Sequence, residues 1–574
     1  MEAHQAVAAQ KLAAWVVSSG VINPVIEQAF QNGCLSQATL ETLASPDGIP
    51  LACTSAPVIL VLPYPPIRNV KYHVPSKPPR FTRDRVGMPT FEGGEHTAIG
   101  DAAFLYFSNA DPGTPAYKVP LSLPNGLSLT YGQIVALGGD FYGIPAAPIS
   151  DGSTQADRVN RFTNAYNTLA TAKAASTEAP KILAVMQEEI AAVNKALDQG
   201  QSASSAYEAL GDSLSEDWNR ITGGGSFVSP WYPLGRYLQL AAVNWDHFSQ
   251  HAVLAYQAGH AAALAQALVA RGLPANEQRQ ALCWAYAMNA FSDHFLSDLF
   301  SGGHVRTPRK HLYDTVTPSS VGSLITRIMH DEDSLWGLNV TNANAQAWRA
   351  YGDKRYFDTV DLANKTMVDA AVQDSVDEVF NAFNTGTVPQ PENYTALGRI
   401  ANLTVAQNNS GAQTAGNISP MFAWNGSATI RRNDVNNLND YSWTSSWWGW
   451  STWTLLQKYK PNTPTGYPLP PTTAPAVSPS GWQSSQSVPP NWVKGARVRY
   501  AVSMVSNLYE SDIGPWGAFT VVGANQAYPT LNGVPVGPAG IQKRRIYRQF
   551  GNTPCIFIGE IADNTTTTFI DNSN

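Results

Sequence analysis

Between about residue 95 and residue 385, apolar residues recur at every third and fourth position, and that period decides what most of this chain can be. The runs ILAVMQEEIAAVNKAL, LQLAAVNWDHFSQHAVLAYQAGHAAALAQALVARG and EQRQALCWAYAMNAFSDHFLSDLF each place their apolar side chains on one face of a helix. The second run stops at Arg271-Gly272 and the third at Gly302-Gly303, where glycine releases the chain from helical geometry. The pattern therefore predicts a helical domain over residues 95–390.

The flanks read differently. Residues 1–94 begin with a helical pattern and pass into VILVLPYPPIRNVKYHVPSKPPRF, whose prolines exclude a continuous helix. They form a mixed N-terminal segment that can cover a site in the next domain. Residues 391–459 are Asn-rich and end in YSWTSSWWGWSTWTLL, an Asn/Trp-rich extension. Residues 460–491 are a linker by composition, dominated by Pro, Ser and Thr. From 492 to 574, ARVRYAVSMVSN, PWGAFTVVG, RRIYRQF, PCIFIGEI and TTTTFID alternate apolar and polar residues between Gly, Pro and Asn, which predicts a small all-β sandwich. The fold class is thus multidomain, mainly α-helical and then all-β, as 574 residues exceed what one core supports.

Charge excludes one class of partner. Only 14% of residues are charged, the net charge is −6, and no Lys/Arg run stands out, so nucleic acid is not an expected partner. The four cysteines (Cys34, Cys53, Cys283, Cys555) form no CxxC pair; Cys34 and Cys53 can pair, but buried or free thiols are expected. MEAHQAVAAQKLAAWVVSSGVINP lacks the basic and apolar regions of a standard secretory signal, so export would use another route. No run approaches the roughly 20 apolar residues of a membrane span, and a soluble chain is expected.

Chemistry concentrates in the histidines, seven of ten lying between 247 and 330. Asp246 and His260 are fourteen apart, nearly four helical turns, and would share a face of one helix. His294 and Asp298, four apart, share a face of the next. His304 follows the Gly pair, where its imidazole can fold back over the helix end. SSVGSLITRIMHDEDS adds His330 with Asp331, Glu332 and Asp333 beside it, and His96 in GEHTAIGDAAF can reach the same centre. Carboxylates buried without compensation cost several kcal/mol, so a metal explains this set better than decoration. His247 and His251 form a rival i, i+4 pair roughly 100° around the helix from Asp246 and are assigned outside the centre.

The order Asp-x13-His, His-x3-Asp-x5-His and a further His beside an acid resembles the zinc-dependent phospholipase C family, which shares its core with zinc single-strand nucleases. The text around it (NWDHF, AGHAAAL, DHFLSDLFSGGHVRTPR, HDEDSLWGLNV, AYGD) is similar to a bacterial, phosphatidylcholine-hydrolysing branch, over roughly residues 95–360. The resemblance implies two or three zinc ions. Asp246, His260, His294 and Asp298 would hold one, with Asp298 bridging to a neighbour; His304 and His330 with an acid would hold the second. Secreted members hold a third through a processed N-terminal Trp, absent here, and His96 with Asp101 as companion would replace it. The acid expected four residues after His330 is Ser334 in this chain, so Asp333 would substitute. Asp246 would also orient or deprotonate the attacking water. Arg306 is either a phosphate contact or an arginine near a helix end.

The resemblance implies hydrolysis of phosphatidylcholine to diacylglycerol and phosphocholine at a phospholipid membrane surface. The alternative is a zinc nuclease or phosphoesterase on the same core. Five tryptophans between Trp443 and Trp453 either meet a lipid surface or choline, or form the core of a polar segment. The last domain resembles fibronectin type III modules, which implies docking rather than catalysis.

Overall fold

The computed structural model describes Leu60–Val61 and residues 93–573, apart from short stretches at 199–205, 207–212, 226–233, 318, 409–411, 414, 485–491 and 552–554. The N-terminal segment, with Cys34 and Cys53, lies otherwise outside the described residues. The middle of the chain is mostly helical and the C-terminal part is built of sheets.

Six helices place the site: α1 (Gly93–Asp101), α2 (Tyr131–Leu137), α3 (Ser249–Gly272), α4 (Ala275–Asp298), α5 (Ser319–Trp336) and α6 (Leu362–Thr385). Leu273 and Pro274 reverse the chain between α3 and α4, which pack along their length. Buried alanines line the facing surfaces of this pair, among them Ala255, Ala258, Ala262, Ala281, Ala285 and Ala287. Small side chains let two helices approach closely, and the interior between them is packed rather than hollow. α3 is long and apolar enough to cross a membrane, but here it lies against α4, α6 and the Gln155–Ala170 helix.

α1 is buried from Gly93 to Gly100 and crosses α2 at Gly100 and Gly132. A Cβ at Gly132 would lie 2.0 Å from the Thr97 carbonyl oxygen, so only glycine permits the crossing. Thr130 caps α2 reciprocally with Gln133. Together these fix the position of His96 on α1.

The helical core does not end at 390. Tyr394, Ile400, Phe422, Val435, Trp453 and Leu456 belong to the same apolar cluster as α3 and α4, so the segment expected to be an appended extension is part of the helical domain. Two buried arginine–carboxylate pairs stitch it and its neighbour to α5. Arg432 holds Glu332 through two hydrogen bonds of 2.8 Å, with Tyr459 as a third donor. Arg306 holds Asp333 at 2.8 and 2.6 Å.

The segment expected to be a linker also carries structure. Ala476–Val477 pairs with Thr530–Asn532, which pairs with Thr568–Ile570, and Gln483–Ser484 pairs with Gln526–Ala527. The main C-terminal sheet runs Thr520–Val521, Arg497–Val505, Lys543–Phe550, Cys555–Ile561 in spatial order, all antiparallel. Val498, Tyr500, Val502 and Ile546 from this sheet meet Leu531 and Phe569 from the three-stranded sheet around the fully buried Trp492. The C-terminal part contacts the helical domain through Arg349, which donates to the Leu508 carbonyl at 2.9 Å and lies 4.0 Å over the Tyr509 ring.

Candidate metal centre

Eight side chains from seven places in the helical domain converge on one buried region: His96 (α1), Asp140 (after α2), His247 (the turn before α3), His294 and Asp298 (α4), His304 (the short Gly302–Val305 helix), His330 (α5) and Asp353 (after the Ala347–Ala350 strand). Among the described residues they fall into three groups with the spacing of metal ligands: His96–His294–Asp298, Asp140–His247–His294 and His304–His330–Asp353.

Asp298 lies between the groups. Its Oδ1 is 3.7 Å from His96 Nε2 and 3.4 Å from His304 Nδ1, and its Oδ2 is 2.8 Å from His247 Nδ1 and 3.7 Å from His294 Nε2. In the other group, Asp353 Oδ2 is 3.1 Å from His330 Nε2 and 3.8 Å from His304 Nε2. Asp140 Oδ2 stands 4.0 Å from His294 Nε2, and its side chain is about 29% accessible while every other ligand candidate is buried.

The outer partners of the imidazoles decide which nitrogen faces the centre. His294 Nδ1 donates to the Val135 carbonyl (2.9 Å) and His304 Nδ1 to the His247 carbonyl (2.9 Å). His330 Nδ1 lies 3.1 Å from Asp331 Oδ1, so its proton points there. Ser297 spends its hydroxyl proton on the His294 carbonyl (2.8 Å) and therefore accepts from His96 Nδ1 at 3.0 Å. In His96, His294 and His304 Nε2 is left with its lone pair toward the centre, the arrangement that outer-shell partners impose on metal-binding histidines, and His330 would offer its own Nε2 on losing a proton to a bound cation.

Ionisation supports the same reading. Burial holds His96 down at about 3, and lowers His247, His294 and His304 as well, so these rings are neutral at pH 7. Burial, with Asp353 nearby, pushes Asp298 well above the carboxylate range. Burial alone would lower His330, but Asp353 and Asp331 raise it to about 9, while His330 and His304 hold Asp353 low against its own burial. Asp298 Oδ2, Asp353 Oδ2 and His330 Nε2 are buried without a well-formed hydrogen bond. Such atoms are rare in proteins, because leaving them bare costs about 1–3 kcal/mol each. A cation among imidazoles and carboxylates satisfies all three. The donor set of nitrogen and oxygen suits zinc and other borderline divalent ions.

Backbone also shapes the cavity. Gly139 has φ +69°, and a Cβ there would lie 2.5 Å from the His294 ring and 2.8 Å from His247. Glycine lets the chain press against both imidazoles and deliver Asp140. Glu95 accepts from the backbone N–H of Lys354 (2.9 Å) and Tyr356 (3.2 Å), and Ser301 donates to Asp353 Oδ1 at 2.6 Å. These contacts hold the loop that carries Asp353.

Of the residues expected from sequence, His96, His294, Asp298, His304 and His330 are brought together. Asp246 is not among them: its oxygens accept from the backbone N–H of Ile149 (2.5 Å) and Ser150 (2.9 Å). The reason is local. Asn244–His247 is a one-turn 3-10 helix, and extended Phe248 followed by Ser249 with φ +50° at the start of α3 breaks the helical phase, so the spacing to His260 does not measure one helix face. The turn presents His247 instead, the ring assigned outside the centre. His260 is held elsewhere, between Asn289 Oδ1 (2.6 Å) and Glu378 Oε2 (3.0 Å), with Tyr256 and Tyr394 packed on it.

Asp333 is turned to Arg306 and away from the three ligand groups, and Arg306 is turned to Asp333 and away from the metal centre. Ser334 is clamped between Gly303 and Gly352, where added Cβ atoms would lie 2.4 and 2.1 Å from its hydroxyl, leaving no room for a carboxylate. Asp353, in the AYGD text, supplies the acid. Asp101 accepts from the Gly132 N–H at 2.9 Å and does not accompany His96. Asp140 was signalled only by its preceding Gly pair, and His247 by its place beside Asp246.

The tryptophan cluster divides. Trp453 is buried and Trp447 donates to the Thr429 carbonyl at 3.0 Å, whereas Trp448 is 78% and Trp450 39% exposed at the start of the Gly449–Leu456 helix. The cluster thus places one indole inside the helical domain and two outside it.

No protein-family model matches the chain, and no curated protein matches it either.

Proposed function

We propose that the protein is a zinc-dependent phospholipase C that hydrolyses phosphatidylcholine-type lipids to diacylglycerol and phosphocholine. The observation that carries this reading is Asp298, a buried carboxylate facing four imidazoles with one oxygen or the other and lying between two ligand groups, as a bridging ligand does. His96, His294 and Asp298 would hold one ion, with His247 and Asp140 at its edge; His304, His330 and Asp353 would hold the second. The two groups containing His294 share its single Nε2 lone pair, which favours two ions per chain over three. Bound zinc lowers the pKa of a coordinated water toward 7 and offsets charge on phosphate oxygens in an in-line displacement.

The chain's own contribution is to fix the ligands through Val135, Ser297, Asp331 and the His247 carbonyl, and to keep the region dry. Asp140, the accessible carboxylate, marks the side from which water and substrate arrive. Beside His247 lies a narrow cleft whose walls include Tyr142, Leu240, Phe291 and Phe295, an apolar lining in keeping with a lipid substrate. Trp448 and Trp450 have the exposure expected of indoles at a lipid–water interface. We read the C-terminal sheets as a fibronectin type III-like module that docks the enzyme.

The test is incubation of the purified protein with phosphatidylcholine vesicles, with and without a chelator, reading free phosphocholine and diacylglycerol. Release that stops with chelator and returns with zinc supports the reading. Bound zinc with no lipid cleavage, but cleavage of single-stranded nucleic acid, would replace it with the nuclease alternative.

A further inference from the structure

The Phe248 ring stacks on His304 at 4.4 Å and also lines a separate open pocket of about 180 Å³. Arg306, Arg309, Lys310, His251 and His311 contribute to the same pocket, with Trp424 as a flat wall. Two of the cations are already compensated. Arg306 is paired with Asp333, and Lys310 lies 3.5 Å from Asp151 and 3.4 Å from Asp314.

Arg309 is different. It is 1% exposed, and it spends Nε on Asn244 Oδ1 (2.9 Å) and Nη2 on the carbonyls of Ala241 (3.3 Å) and Ala242 (2.8 Å). Its Nη1 is buried with no hydrogen-bond partner, and burial lowers its pKa to about 10, an effect that Tyr313 and Asp314 only partly offset. A guanidinium stays charged at any physiological pH, and burying it without a counter-ion costs several kcal/mol. Beside it, His311 stacks on Trp424 at 4.1 Å with the rings 5° from parallel, which holds that imidazole at the pocket wall. His251 is anchored by Ser150 through Nδ1 at 2.9 Å. Burial lowers both rings, so they serve as neutral hydrogen-bonding groups while the positive charge comes from Arg309.

We infer that this pocket is an anion-binding site, distinct from the metal centre, that takes a phosphate group on Arg309 with Lys310 and His311 beside it. A phosphate matches the unmet donor and the missing negative charge together, and arginine is the residue best fitted to hold it. The inference does not depend on the phospholipase reading, because none of the metal-centre residues belongs to the pocket.

The experiment is calorimetric titration of inorganic phosphate into zinc-loaded protein, comparing wild type with His311→Ala, Lys310→Ala and Arg309→Gln. The first two variants alter the pocket wall without touching the buried guanidinium and guard against Arg309→Gln failing to fold. A phosphate isotherm that weakens about tenfold or more in these variants, while zinc content stays constant, supports the site; that factor corresponds to losing one charge-assisted hydrogen bond. Repeating the comparison with vesicles containing phosphatidic acid assigns the source: retention that falls in the variants marks a lipid headgroup, and unchanged retention marks free phosphate. A phosphate isotherm indifferent to all three variants and abolished by chelator places the binding at the metal centre and overturns the inference.

Discussion

Replacing Asp298 by asparagine separates the two roles the centre imposes on it. The side chain keeps its shape but loses the charge that both ligand groups share. In the wild type, zinc at a hundred times its dissociation constant stabilises the fold by about 2.7 kcal/mol. For a domain of more than 300 residues that is a rise in melting temperature of about 3–4 °C. Asp298→Asn is expected to lose nearly all of that rise and to retain little or no zinc by elemental analysis. Its metal-free form should behave in the opposite sense. Burial raises the Asp298 pKa in the fold, so the native state holds a proton that the unfolded state releases. The metal-free wild type therefore loses stability as pH climbs from about 4, the unfolded carboxylate value, toward the raised folded one. Asparagine has no proton to lose, and the metal-free variant should melt above the metal-free wild type at pH 8 with a flatter pH profile. The assay is a melting curve from pH 4 to 8, with chelator and with zinc. An Asp298→Asn variant that keeps the wild-type zinc shift would refute the bridging role, and one that melts lower than wild type when metal-free would refute the electrostatic argument.

Other perturbations follow from the same geometry. Asp353→Ala is expected to lower the zinc-to-protein ratio by about one ion, whereas Asp333→Ala leaves Arg306 buried without its partner and costs about 3–5 kcal/mol, seen in denaturant unfolding. A lower ratio in folded Asp333→Ala would show that Asp333 is a ligand after all. His260→Ala should destabilise by about 1–3 kcal/mol through the orphaned Asn289 and Glu378 groups, with zinc content unchanged. Trp448→Ala and Trp450→Ala should leave the melting temperature within about 1 °C and reduce co-sedimentation with phosphatidylcholine vesicles; equal sedimentation by the double variant would remove the indoles from the membrane contact.

Helical period and the i, i+4 spacing of His294 and Asp298 were enough to place the long helices and the middle of the centre, because both depend on local geometry alone. His96 and His330 were legible for a similar reason, each being a rare residue type inside a clear helical run. The failures occur where a ligand depends on a break in period. A left-handed Ser249 shifts the phase between residue 246 and α3, which exchanges Asp246 for His247. Asp353 and Asp140 stand on loops, where no periodicity announces direction. Asp333 looked free in the sequence because its neutralising partner, Arg306, lies on another element. The boundaries at 390 and 460 were drawn from composition, and composition does not reveal that an Asn-rich segment contributes Phe422 and Trp453 to a distant core.

The pairing of Glu332 with Arg432 and Tyr459 bears on the order of events during synthesis. α5 carries His330 two residues before Glu332, so the helix that presents this ligand buries a carboxylate whose neutralising partners emerge from the ribosome well after Asp353, the last ligand. A nascent chain that already contains every metal-binding side chain still lacks the groups that let α5 dock. The half-centre on α5 is then completed late, after the tryptophan segment has been made, and a chain cut at 390 should be released with all its ligands and without the capacity to assemble them.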